Sequence, residues 1–160
     1  MKKLSCIFMM LLVCFAFNIC QASVVDECAL GGVALGMSRD DVKNICGDPT
    51  KTRDEFVEEW FYDDSFLINF TEGCVTSITT NENNGIRMPA GFTVGSNVKS
   101  LIKHFEQKYG IEPIQDSDEK MTYVKYLIFR PNQSNIILRV GYDKYDDIIS
   151  LIHLYATSVK

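Results

Sequence analysis

Apolar and polar positions along the chain alternate between two periods, and the points where the period changes divide it. From Val33 to Pro49 the period is helical. A short apolar run, Val33-Ala34-Leu35, ends at Gly36, and Ser38 then stands where a helix N-cap belongs, with Asp40 and Asp41 in the first turn. A serine oxygen there accepts from a backbone N–H that has no partner inside the helix, and acids suit the positive end of the dipole. Val42, Ile45 and Cys46 make one face at i, i+3, i+4 spacing. Gly47 closes the helix and Pro49 prevents its resumption.

The period then shortens to two. Phe56 to Tyr62 is bulky and alternating, Asp63-Asp64-Ser65 is a turn, and Phe66, Ile68 and Phe70 share a face. Glu72-Gly73 is a tight hairpin before a Thr-rich third strand, Cys74 to Thr80. The unit over residues 23–81 is therefore a helix followed by a three-stranded antiparallel meander. Residues 82–89, with Asn83-Asn84-Gly85 and Pro89, are a polar linker.

The opening pattern returns 59 residues on, where Gly91 to Asn97 echoes Gly32 to Ser38. Asn97 takes the cap position, Leu101, Phe105 and Tyr109 continue an apolar face, and Gly110 ends the helix. Strand signals follow over 122–130, 136–142 and 148–155, separated by turns at 131–134 and 143–146. The expected fold class is α+β: tandem units of helix plus three-stranded antiparallel meander, the second over residues 90–160.

Composition narrows the classes. Lys2 and Lys3, an apolar run from Ile7 to Phe17 and a small-x-small site at Cys20-Gln21-Ala22 make residues 1–22 a signal peptide, and the run is too short to span a membrane. Removing them takes two lysines and no acid, moving the net charge from −5 to −7 over 138 residues. An acidic chain without a basic cluster is a poor nucleic-acid or anionic-membrane binder. The expected location is periplasmic or secreted. Three cysteines then remain, Cys28, Cys46 and Cys74, at spacings that fit no zinc pattern. In an oxidising compartment two of them pair, and the expected bridge is Cys28–Cys46, worth about 3 kcal/mol by chain entropy, with Cys46–Cys74 the alternative.

The spacing Val33-x-x-Gly36-Met37-Ser38-x-x-x-Val42-x-x-x-x-Gly47-x-Pro49, then Trp60 and Tyr62, then Phe66-x-Ile68-x-Phe70-x-x-Gly73-x-Val75-x-x-Ile78, resembles a known domain. It is that of the BamE/SmpA (SmpA/OmlA-like) outer-membrane assembly lipoproteins and of the β-lactamase inhibitory protein family. The second half matches at Gly95, Leu101 and Gly110 and loosely after that. Two tandem copies are more similar to the inhibitory protein. The resemblance implies fold more firmly than activity.

Chemistry-bearing residues are sparse. Glu58-Glu59 and Asp63-Asp64 are strand or turn neighbours whose side chains diverge, His104 beside apolar Phe105 reads as a partly buried or surface histidine, and His153 stands alone without a paired carboxylate or thiolate. No catalytic residue, metal or cofactor is expected. A binding face is easier to derive. If the helices cover one side of the sheet, the other presents Phe61, Leu67, Asn69, Tyr123, Lys125, Arg139, His153 and Tyr155, a mixture that interfaces favour. The expected function is a non-catalytic exported module that binds another envelope or secreted protein, as an envelope-assembly partner or a hydrolase inhibitor. A periplasmic small-ligand or lipid carrier is the alternative.

Overall fold

The computed structural model describes residues 27–116, 123–131 and 135–157. The expected signal peptide over residues 1–22, the first residue of the expected 122–130 strand and positions 132–134 of the expected turn lie outside them.

Twelve elements are described. β1 (Ala29–Leu30) and β2 (Val33–Ala34) precede α1 (Arg39–Cys46), which is followed by β3 (Lys51–Asp54), β4 (Glu58–Tyr62), β5 (Phe66–Thr71) and β6 (Cys74–Thr80). α2 (Val98–Tyr109) is followed by β7 (Ile114–Gln115), β8 (Val124–Phe129), β9 (Ile136–Asp143) and β10 (Ile149–Ala156). β1 and β2 pair as a two-stranded sheet, and the other strands form one eight-stranded sheet in the order β3-β4-β5-β6-β10-β9-β8-β7. Every pairing in it is antiparallel.

This corrects the expected fold class. The described chain is mostly β, 45% strand against 18% helix, and is not a tandem of helix plus three-stranded meander. Four strands follow each helix, and β6 pairs with β10 to make the sheet continuous. The additional strands have a physical reason for escaping a hydrophobic reading. β3 reads Lys-Thr-Arg-Asp and is exposed at all four positions, as suits a sheet edge. β7 is two residues long at the opposite edge. The bulky run expected from Phe56 begins as a strand only at Glu58, and Phe56 itself is 98% exposed between β3 and β4.

Both helices are capped as their sequences direct. Ser38 accepts from the Asp41 amide while the Asp41 carboxylate accepts from the Ser38 amide, a reciprocal capping box. Asn97 accepts from the Lys99 and Ser100 amides, and Gly110 ends α2 in the left-handed region. The echo between the halves is repeated in how each helix start is anchored. Gly36 N–H donates to Val75 and Val75 N–H to Met37, at 2.8 and 2.9 Å. Gly95 N–H donates to Ile149 and Ile149 N–H to Ser96, again at 2.8 and 2.9 Å.

One core serves both halves. Val42 from α1 and Val98, Leu101 and Phe105 from α2 pack with Trp60, Ile68, Phe70, Ile78, Phe129, Leu138, Ile152 and Leu154. Phe105 meets Phe129 at 4.8 Å between ring centroids, and Trp60 meets Phe70 at 4.6 Å. Each such side chain contributes about 1.5–3 kcal/mol by leaving water. Ile45, expected on the buried face of α1, is 45% exposed. The 82–89 segment is polar in composition, yet Met88 within it is 1% exposed and belongs to the core.

The cysteine expectation is also corrected. Cys46 and Cys74 are free thiols, so the Cys28–Cys46 bridge is not made. Glu27 draws its end of the chain to α2, accepting from Lys108 Nζ at 2.7 Å and Tyr109 Oη at 2.9 Å. Cys46, in contrast, ends α1 beside Tyr62. Burial, and then the neighbouring Glu27 charge, push the Cys28 thiol up to about 11.

Candidate functional site

With both helices on one side of the sheet, alternation places every second side chain of each strand on the other. Register joins them into a row that crosses all eight strands: Lys51, Phe61, Leu67, Thr79, His153, Arg139, Ile128 and Ile114. A second row runs Arg53, Glu59, Asn69, Ser77, Tyr155 and Ile137. Neither helix covers these rows.

Of the eight residues expected on this open face, six are on it: Phe61, Leu67, Asn69, Arg139, His153 and Tyr155. Lys125 is not. It pairs with Tyr142 and shares the alternation of Leu127 and Phe129, 6% and 0% exposed, which puts it on the helix-bearing side. Tyr123 precedes β8, is 64% exposed and packs against Tyr145 at 6.2 Å. The start of β8 projects beyond the helix cover, so polar residues there take the core-side alternation and still meet water.

The six do not form one cluster. Phe61 lies under Lys51 and Arg53, whose charged groups stand 5.7 and 5.5 Å from its ring. Arg139 lies 3.9 Å over the Tyr126 ring and donates to Asp116 at 3.2 Å. Asn69, His153 and Tyr155 come together at the end of the sheet where β4 begins and β10 ends. They line a groove of about 580 Å³ with Val57, Thr71, Thr76, Ser77, Asn135, Ala156 and Thr157.

The groove is shaped by a β-bulge. Asn69 pairs with Ser77 and Phe70 with Val75, leaving Thr76 as the extra residue on β6. Val75 and Ile78, three residues apart, therefore both face the core, while adjacent Thr76 and Ser77 both reach the groove. His153 joins β10 to β6 through a 2.9 Å hydrogen bond between its Nε2 and Ser77 Oγ, and its ring stacks on Tyr155 at 4.5 Å. Burial, then the Arg139 charge opposite, pull its pKa from 6.5 to about 4. The imidazole is thus neutral at neutral pH. A guanidinium faces it where a nucleophilic Ser–His pair needs a carboxylate.

A second polar cluster sits on the helix side. Glu27, 5% exposed, contacts His104 at 3.5 Å besides Lys108 and Tyr109. Burial raises its pKa, but the hydrogen bonds from Lys108 and Tyr109 outweigh that and hold it below the usual range. This cluster clips the start of the described chain to the last turn of α2.

Sequence reasoning missed Ser77, Thr71 and Thr76. Ser77 was legible, since it alternates with Ile78, whereas Thr76 reaches the groove only because of the bulge. Among the described residues no group of three His, Cys, Asp or Glu could hold a metal ion, and no helix is long and apolar enough to cross a membrane. The architecture defines a mostly β protein with a helix-clad face and an open one. No protein-family model, curated protein or solved structure matches the chain.

Proposed function

We propose that the protein is an exported, non-catalytic module that binds another envelope or secreted protein through the open face of its sheet. The observation that carries this reading is the row across that face, where Phe61 and Leu67 stand half-buried beside Thr79 and His153 with no helix over them. Half-buried aromatic and aliphatic side chains on a broad sheet offer contact area at little entropic cost. A neutral imidazole opposed by Arg139 is a weak general base, which favours binding over catalysis. The Gly36-Met37-Ser38 and Gly47-x-Pro49 spacing, with its resemblance to BamE/SmpA lipoproteins and the β-lactamase inhibitory protein, supports two versions: an envelope-assembly partner or an inhibitor of an exported hydrolase.

Affinity capture from envelope extract tests it by comparison. The wild type is run beside Phe61→Ala/Leu67→Asp, altered on the open face, and Lys103→Ala, altered on the exposed side of α2. A protein retained by wild type and Lys103→Ala but lost from the double variant is the expected result. Equal capture by all three would show that the open face is only solvated surface.

A further inference from the structure

The groove at the β4–β10 end of the open face differs in chemistry from the rest of that face. The chain is 23% charged, yet every polar side chain lining the groove is a hydroxyl, an amide or the His153 imidazole. On its border Arg53 and Glu59 form an ion pair at 3.2 Å. A charged ligand would lose hydration there and gain no counter-charge. An uncharged ligand rich in hydroxyls loses little, and finds donors and acceptors at the Thr76 and Ser77 hydroxyls. Tyr155, braced by its stack on His153, adds an aromatic wall, and the weakly positive C–H face of a pyranose suits the negative face of such a ring. The volume, about 580 Å³, falls within the roughly 300–1,000 Å³ of small-molecule sites.

We propose that this groove is a binding subsite for a neutral saccharide, seated against Tyr155 and hydrogen-bonded by Thr76 and Ser77. The groove shares the open face and His153 with the protein-binding reading, but Phe61 and Leu67 are not part of its lining, so the Phe61→Ala/Leu67→Asp variant separates the two.

Amide and side-chain NMR of the exported protein, titrated with four probes, tests the proposal. Chitotriose and maltotriose are the neutral saccharides, a hyaluronan tetrasaccharide the acidic one, and acetyl-Gly-Asn-Gln-Gly-amide an uncharged peptide. Saturable shifts at Ser77, His153 and Tyr155 with at least one neutral saccharide are expected, with the acidic saccharide binding at least tenfold more weakly. Tyr155→Ala should weaken the interaction at least tenfold. Thr76→Val should weaken it about threefold while keeping the spectrum dispersed, and decides the matter if Tyr155→Ala unfolds. No saturable shift from either neutral saccharide, binding of only the acidic saccharide or only the peptide, or undiminished binding in the folded variants would overturn the proposal.

Discussion

Acidification should weaken the fold through His153 in a way that one substitution removes. In the folded protein the imidazole titrates near 4, against 6.5 when free, because burial and then the Arg139 charge disfavour its protonated form. Below about pH 6.5 the unfolded chain therefore takes up a proton that the folded chain refuses, so stability falls as pH falls until the folded group itself titrates near 4. By pH 5 the linkage amounts to about 2 kcal/mol, and water at the exposed edge of the ring brings it towards 1 kcal/mol. The assay is urea unfolding at pH 7.5 and pH 5, on wild type and on His153→Gln, which keeps a polar group near Ser77 but does not titrate. Carboxylates common to both proteins cancel in the comparison. Wild type should lose about 1–2 kcal/mol more than the variant between the two pH values. The wild-type resonance that disappears in the variant should titrate near pH 4. Parallel losses in the two proteins, or an imidazole that titrates near 6.5, would refute the reasoning.

Phe105→Ala, at a position 0% exposed against Phe129, should cost about 3–5 kcal/mol in urea unfolding, and a loss under 1 kcal/mol would show that α2 is not seated on the sheet as described. Asn97→Ala should cost about 1 kcal/mol through the lost cap of α2, whereas Asn97→Gly should cost only a few tenths. Phe56→Ser should change stability by about 0.5 kcal/mol or less, because the side chain is 98% exposed, and a larger change would place it against another part of the chain. Under native, non-reducing conditions iodoacetamide should label exposed Cys74 faster than half-buried Cys46, and recovery of a Cys28–Cys46 linked peptide would contradict the free Cys46 thiol.

What could be read without coordinates followed the strength of local signals. Both helices were legible to the residue at their caps, because Ser38 with Asp41 and Asn97 with Gly110 act through bonds a few residues long. Inward residues of β5, β9 and β10 were legible because burial writes a period of two into them. β3 was not, because an edge strand exposed on both sides carries no such period, and its Lys-Thr-Arg-Asp reads as loop. Lys125 was assigned to the wrong side because polarity at a protruding strand end says nothing about which side it faces. Asn69, His153 and Tyr155 could be placed on one face from alternation alone. Their convergence on a groove with Thr76 could not, since it depends on a bulge and on the β6–β10 seam, a pairing between residues more than seventy positions apart.

That seam has a consequence for how the molecule is assembled as the chain emerges from synthesis. β10 is the last described strand in chain order, yet it lies near the middle of the sheet, between β6 and β9. Until it emerges, β6 waits with an unpaired edge, and each half has a hydrophobic layer closed on only one flank. Closing such a distant pairing is slow, since the intervening chain must be ordered before any contact repays it. Emerging amino-end first, the chain would postpone the closing step to the final moments of synthesis. The chain would stay pliable until then and lock only when β10 docks, with the unpaired β6 edge the place where a chaperone, or an aggregating neighbour, would act first.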